Sequence, residues 1–182
     1  GGTQQARLRL PNAEVKSLYK DLIESWFSQE PRKEQTTGMI KALLQGDGEG
    51  FTEHLQEFVH ESLSYFDVSQ RDPERVYQAF VLGLLVQLEQ DYRLRSEREA
   101  GEGRADVLLI PKQPHKPGII LEFKRAVRKA DQERLQQTAQ AALQQIKDKH
   151  YAAEFADRQC SFVLAVGVAF VGKNLAAAYE LV

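Results

Sequence analysis

The hydrophobic pattern of this chain changes its period near residue 92, and that change limits the folds open to the chain more than any other feature. Before it, apolar side chains recur at steps of three and four, the spacing of amphipathic helices. Beyond it, residues 92–96, 105–110 and 118–124 alternate or run apolar as strands do, residues 131–151 return to helical spacing, and residues 160–170 form an apolar strand. The order helix, three strands, helix, strand predicts an α/β (α+β) core with a helical N-terminal extension.

Turn and capping signals set the expected element boundaries. Pro31 predicts a break between the first two helices, and the glycine-rich segment 46–50 predicts the end of the second. Asp72 and Pro73 are a strong start for the helix that leads into the first strand, because an aspartate caps and a proline fits the first helical position. A proline-bearing hairpin loop is expected at residues 111–117.

Length and charge bound the organisation of the chain. Its 182 residues suit one domain with a full core, or a compact core with a helical extension. We predict residues 1–68 as a helical extension or linker packed on the core, and residues 69–182 as the core. The formal net charge of -2 excludes a strongly basic coat. A nucleic acid would therefore be held by a local patch or through bound cations.

Cysteine usage and hydropathy indicate the compartment. The single cysteine, Cys160, excludes an internal disulfide and lies in an apolar stretch, so we expect a buried thiol in a reducing environment. No apolar run approaches the roughly 20 residues that a membrane-spanning helix needs. We therefore expect a cytoplasmic protein without a membrane partner.

The residues that carry chemistry lie on the second and third predicted strands. Side chains alternate along a strand, so Glu122 and Lys124 share one face while Phe123 lies on the other. Pairing of the two strands would bring Asp106 beside Glu122. Two neighbouring carboxylates suit Mg²⁺, with waters, a backbone carbonyl and a phosphate oxygen completing its shell. Such an ion would activate a water and stabilise charge on a phosphate, and Lys124 would position either.

These motifs resemble those of a known superfamily. Asp106 followed by Glu122-Phe123-Lys124 resembles the PD-(D/E)XK nucleases, in which an aspartate on one strand precedes Glu-X-Lys on the next. Four further segments are similar to motifs of the bacterial branch usually found C-terminal to an AAA-ATPase-like domain. They are residues 10–15 (LPNAEV), residues 96–106 (SEREAGEGRAD), Gln145-Ile146 and residues 167–173 (GVAFVGK).

The resemblance implies a restriction-endonuclease-like fold, Mg²⁺ or Mn²⁺ as cofactor, and nucleic acid, above all DNA, as substrate. It also implies an ATPase domain as partner in a full-length protein, and it leaves an oligomer open because such nucleases often need two active sites. By the same resemblance, Asp106 and Glu122 would be metal ligands with the backbone carbonyl of Phe123, and Lys124 would orient the nucleophile. Glu74 matches an additional acidic position of the family.

Three candidates on helices have a functional and a structural interpretation. Gln145 and Tyr151 would lie beside the site and contact substrate or order water. Alternatively, Gln145 lies on a solvated helix edge and Tyr151 packs at a helix end. Glu74 is either a site residue or an acid favoured in a first helical turn by the helix dipole.

Two arginines are candidate substrate contacts. Arg104 would bind a phosphate through its planar fork, or form an ion pair with Glu99 or Glu74. Arg125 belongs to the basic run at residues 124–129, which would bind a nucleic-acid backbone or lie in a solvated loop.

These expectations amount to a hydrolytic enzyme, a Mg²⁺-dependent nuclease acting on DNA. Two positions depart from the family: Gln78 stands where histidine is common, and Glu97 where asparagine is common. The departures keep an alternative open, in which the chain is a catalytically inactive nuclease-fold module. Such a module would bind nucleic acid or a protein partner as an effector-type interaction domain.

Overall fold

A mixed five-stranded sheet lies at the centre of the structure, a computed structural model that describes residues 30–62, 81, 83–95, 106–127 and 129–182. The strand order is β1-β2-β3-β4-β5. Neighbouring strands are antiparallel except β3 and β4, which are parallel. The strands are β1 (Tyr92–Arg95), β2 (Val107–Pro111), β3 (Gly118–Arg125), β4 (Val163–Val171) and β5 (Asn174–Leu181). Helices flank the sheet, so the predicted α+β class is confirmed.

The first three strands form the predicted antiparallel unit. A hairpin loop joins β2 to β3 over residues 112–117, and His115 in that loop adopts a positive φ of 64°. The β1 end of the unit is tied to this loop, since Lys116 Nζ lies 2.8 Å from Asp91 Oδ1. The expected hairpin at residues 111–117 is therefore present.

A long helix makes the crossover between the parallel strands β3 and β4. This helix, α3 (Gln132–Asp148), begins with Asp131 as its cap, whose side chain accepts a hydrogen bond from the backbone N–H of Arg134 (2.9 Å). It ends three residues before the predicted limit at residue 151. His150 turns the chain with a left-handed φ of 54°, and a 3₁₀ helix, Tyr151–Arg158, follows.

The last strand, β5, was absent from the predicted order. It pairs with β4 through a two-residue loop, and Gly172 supplies a φ of 59° at the first loop position, as a type II′ hairpin turn requires. The strand is hidden in the sequence because its middle is three consecutive alanines, which show no alternation between apolar and polar side chains.

Two further helices precede the sheet. The helix α1 (Glu30–Gln45) starts at the segment where an interruption was predicted, since proline is tolerated in a first helical turn. Gly46, with a φ of 74°, ends α1 as predicted, but α2 (Gly48–Ser62) begins within the same glycine-rich segment. The helix predicted from Asp72 lies largely outside the described residues. Its described part is helical at residues 81 and 83–85 and continues as a 3₁₀ helix, Val86–Leu88.

The sheet buries both of its faces. We call the face covered by α1 and α2 the α1–α2 face; its buried side chains include Leu109, Leu121, Phe123, Val166, Val168 and Phe170. We call the other the α3 face; its buried side chains include Leu108, Ile120, Ala165, Ala169, Ala176 and Ala178. Helices α1 and α2 thus share a core with the sheet. The division at residues 68 and 69 stays a prediction.

Two remaining expectations concern Cys160 and the membrane. Cys160 is a free thiol, but it is half-buried rather than buried, because it lies before β4 and not within it. Burial is still the main reason that its pKa is raised. Within the described ranges, every helix is too short or too polar to serve as a membrane span.

Candidate active site

Asp106 and Glu122 lie side by side at one end of the β2–β3 pair. The register pairs Val107 with Leu121, which sets the preceding residue of the chain opposite Glu122. The backbone N–H of Asp106 donates a hydrogen bond to Glu122 Oε2 (3.3 Å), and the backbone N–H of Phe123 donates one to Asp106 Oδ2 (2.7 Å). Each carboxylate is thus held by the backbone of the neighbouring segment.

Glu122 is a buried acid within an apolar strand. Only 5% of it is exposed, and an isolated carboxylate at such depth is costly unless hydrogen bonds or a cation compensate it. Helix α3 supplies one such bond, because Gln145 Nε2 donates to Glu122 Oε1 (2.5 Å). Gln145 therefore lies against the site acid, as the site interpretation predicted, and does not simply occupy a solvated helix edge.

Tyr151 lies beside the same acids. It is buried in the α3-face core together with Ile146 and Phe155, and its hydroxyl has no hydrogen-bond partner among the described residues. Burial raises the pKa of the Tyr151 hydroxyl, and the negative charges of Glu122 and Asp106 raise it further. The nearby Gln145 side-chain amide favours the ionised hydroxyl and so lowers this pKa, with a smaller effect than burial. The hydroxyl is thus a neutral donor at neutral pH.

The two basic residues that end β3 lie on opposite faces of the sheet. Lys124 is half-buried and shares the α3 face with Glu122, two residues away along the strand. Within the described part of the chain its side chain makes no hydrogen bond or ion pair. Arg125 is exposed, and alternation places it on the face of Phe123, away from the acids.

The donor atoms suit a hard divalent cation. Two adjacent carboxylates present oxygen ligands, which Mg²⁺ and Mn²⁺ prefer. Among the described residues no group of three or more histidine, cysteine, aspartate or glutamate side chains could hold a metal. Asp106 and Glu122 are adjacent there and would contribute two side-chain ligands. The unpartnered Tyr151 hydroxyl is a buried polar atom that the water shell of such an ion would satisfy. The site fits the implied metal on these grounds.

Several predicted residues cannot be placed. Glu74 and Arg104 lie outside the described residues, as do Gln78, Glu97 and the rest of residues 96–105. Their predicted roles stay predictions, and so does the role of the Phe123 carbonyl as a metal ligand.

The structure also shows a cavity beside the site to which the sequence analysis gave no role. It has a volume of about 590 Å³, and its lining includes Lys149, His150, Tyr151, Glu154 and Arg158. The signal in the sequence was the pair Lys149 and His150 near the end of the predicted helix, which a solvated helix end explains equally well.

Comparison with protein families decides the affiliation of the chain. A family model described as the PD-(D/E)XK nuclease superfamily matches residues 72–180, which is more than half of the chain. The chain belongs to this superfamily. No curated protein matches it.

For a PD-(D/E)XK chain, the five-stranded sheet with flanking helices is the restriction-endonuclease-like fold, so that prediction is confirmed. Membership indicates a hydrolytic nuclease, and nucleases of this superfamily typically use divalent metal ions and bind nucleic acid. The affiliation with the AAA-ATPase-associated branch is finer than this match and stays a prediction.

Proposed function

We propose that this PD-(D/E)XK chain is a Mg²⁺-dependent nuclease that hydrolyses phosphodiester bonds in DNA, with Mn²⁺ as an alternative ion. One observation supports the proposal above all: Asp106 lies directly against the buried Glu122, and each is held by hydrogen bonds from the neighbouring backbone. Two adjacent carboxylates, one of them buried, repel each other, and a divalent cation would offset that repulsion.

In this proposal Asp106, Glu122 and the carbonyl of Phe123 would hold the metal, and Glu74 would add a further acid. The bound ion would supply a Lewis acid at the scissile phosphate and lower the pKa of the attacking water. The side chains then have separate tasks. The backbone hydrogen bond to Asp106 Oδ2 and the Gln145 bond to Glu122 Oε1 each fix one carboxylate, so both are oriented before substrate arrives.

Lys124 is proposed to orient the water or a phosphate oxygen. It lies on the same face as Glu122, and no described residue engages it in a hydrogen bond or ion pair, so its ammonium group is available to substrate. Tyr151 would donate its hydroxyl proton in a hydrogen bond to a water or phosphate oxygen, because its raised pKa keeps the group neutral.

The wider proposal concerns substrate and partners. Arg104 and Arg125 would contact the phosphate backbone, although Arg125 lies on the opposite sheet face and would reach substrate only around the end of β3. We further propose residues 1–68 as an extension and residues 69–182 as the nuclease core, in a protein of the AAA-ATPase-associated branch. The ATPase domain would be a partner, and an oligomer would supply a second site.

Calorimetric titration with Mg²⁺ and Mn²⁺, together with DNA cleavage on the same samples, tests the proposal. We compare the wild type with an Asp106→Ala/Glu122→Ala variant. A matched control, Glu53→Ala/Glu57→Ala, removes two exposed carboxylates from α2 on the other side of the sheet. We expect metal binding and cleavage to disappear in the first variant and to remain in the control.

Two other outcomes would contradict the proposal in different ways. A wild type that binds no metal with DNA present would instead indicate the inactive nuclease-fold module. If metal binding were lost equally in the control, the result would indicate that the metal does not bind specifically at the Asp106 and Glu122 pair.

A further inference from the structure

Gly167 lies at the point where helix α3 approaches the sheet closely, next to Glu122. In the parallel β3–β4 pair Gly167 is the register partner of Glu122, and on the other side Ala178 of β5 is its partner. The three residues form one row across the α3 face. The site acid therefore has a glycine as its immediate neighbour beneath the helix.

No side chain fits at this position. A Cβ atom built on Gly167 would lie 2.4 Å from Leu143 N, 2.5 Å from Ala139 O and 2.8 Å from Ala142 Cβ, all of them atoms of α3. Ordinary carbon contacts need about 3.5 Å or more. Because two of these atoms belong to the helix backbone, no rotamer change relieves the clash. A methyl group at residue 167 would move α3 away from the sheet by about 1 Å.

The same helix carries the amide that holds the site acid. Gln145 lies two residues after Leu143, and its Nε2 donates to Glu122 Oε1 at 2.5 Å. An outward displacement of about 1 Å would take this distance to the limit of a hydrogen bond. The height of α3 over Gly167 thus determines whether Gln145 reaches Glu122.

We propose that Gly167 is a positioning residue of the active site. Its missing side chain sets the height of α3 at which the Gln145 amide fixes the Glu122 carboxylate. The catalytic consequence rests on the proposed nuclease function, whereas the positional relation between Gly167, Gln145 and Glu122 does not.

The test uses Gly167→Ala with Gly118→Ala as the matched control. Gly118 lies on the same face of β3, and a Cβ there would also be close to its neighbours, at 2.4 Å from Phe155 Cδ1. That neighbour is a side-chain ring of the 3₁₀ helix and not the backbone of α3. Both changes add one methyl group to the α3 face, but only the first is expected to lift α3.

The first readout is the side-chain amide of Gln145 in ¹H–¹⁵N spectra without metal, assigned with Gln145→Ala. In the wild type we expect one amide proton shifted downfield by its carboxylate acceptor. Gly167→Ala should return it to the position of a free amide, while Gly118→Ala leaves it unchanged. An unchanged Gln145 amide in folded Gly167→Ala overturns the proposal, whether or not the chain proves to be a nuclease.

The second readout is Mn²⁺ affinity in a double-mutant cycle. Loss of a residue that orients a metal ligand typically weakens binding about 10- to 100-fold, and we expect a loss in this range for Gly167→Ala. In a Gln145→Ala background the same change should add little, because its effect acts through Gln145. Additive losses would show that Gly167 supports the fold alone, and would overturn the proposal.

A milder variant applies if Gly167→Ala does not fold. Ala142 faces Gly167 from the helix, so Ala142→Ser adds one atom at the same contact. It should shift the Gln145 amide in the same direction by a smaller amount. A folded Ala142→Ser protein with a wild-type Gln145 amide would then overturn the proposal.

Discussion

The two faces of the sheet are built from side chains of different size, and the difference separates stability from chemistry. The α1–α2 face is filled by leucine, valine and phenylalanine, and it buries no acid of β3. The α3 face is lined along β4 and β5 by alanines and Gly167. Large side chains keep α1 and α2 at a distance and bury apolar area. Small ones let α3 approach until a polar side chain of the helix reaches a strand.

The largest effect should come from the α1–α2 face. Leu121 is fully buried there and is the immediate neighbour of Glu122. Leu121→Ala removes apolar contacts and leaves a cavity, so we expect a loss of about 2–5 kcal/mol in the free energy of unfolding. Urea denaturation monitored by circular dichroism measures it. A loss below about 1 kcal/mol would mean that this face does not carry the stability.

Alkaline pH should cause the next largest loss in the free energy of unfolding, through a tyrosine that packs on the same face. Burial, with a smaller contribution from Asp91, raises the pKa of Tyr92 to about 12, above its ordinary value of 10. The folded state then holds the Tyr92 proton more tightly than the unfolded state. The associated stability is complete below pH 10 and is lost as the pH rises towards 12, by up to about 2 kcal/mol.

Tyr92→Phe isolates the contribution of this proton to stability, since it removes the titrating hydroxyl and keeps the ring. We expect the unfolding free energy of the variant to fall less than that of the wild type between pH 9 and pH 11, in denaturant titrations at fixed ionic strength. Parallel curves for the two proteins would contradict the expected shift of the Tyr92 pKa.

The sequence predicted one part of this comparison better than the other. Alternation in β3 assigned Phe123 to one face and Glu122 with Lys124 to the other, because strand geometry imposes a period of two. Strand pairing also brought Asp106 beside Glu122, as expected from a short hairpin. These relations are local, and local rules determine them.

The contacts between α3 and the sheet could not be derived in the same way. The bond from Gln145 to Glu122 depends on how closely α3 packs, and that distance is set by Gly167, 22 residues further along the chain than Gln145. β5 was missed because alanine suits helices and strands alike in a periodicity argument. Both failures come from small residues, whose packing role appears only when the neighbouring element is in place.

Among the described strands β5 is the last of the sheet, and helices on both faces of the sheet donate hydrogen bonds to its outer edge. From α2, the Gln56 side chain donates to Lys173 O (2.8 Å) and accepts from Leu175 N–H (3.0 Å). It thus bonds one backbone acceptor and one backbone donor, as a neighbouring strand would. Gln56→Ala removes both of these bonds, and we expect a loss of about 1–2 kcal/mol in denaturant titrations.

Gln136 on α3 is the matched comparison for Gln56. Its exposed side chain makes one bond to the same edge, donating to Ala177 O (3.1 Å). Gln136→Ala should cost less than Gln56→Ala, on the order of 0.5 kcal/mol. Equal losses would argue against a special role of the two-bond arrangement from α2.

A small effect on stability, together with the sharpest contrast in the response to metal, is expected at Glu122. Glu122→Gln keeps the size of the side chain and an acceptor for Gln145, while it removes the charge that repels Asp106. One amide hydrogen must then face a neighbouring donor, so gain and loss nearly cancel. We expect the unfolding free energy without metal to stay within about 1 kcal/mol of the wild type.

With Mg²⁺ added, the wild type alone should gain stability, because only a carboxylate pair binds the ion in the folded state. Adjacent residues of one strand would then separate the two faces: Leu121 would change stability without a specific effect of metal, and Glu122 would change the response to metal at nearly constant stability. If Mg²⁺ stabilised the Glu122→Gln protein as much as the wild type, the Glu122 carboxylate would not be needed for metal binding. The two faces would then no longer differ in their response to metal.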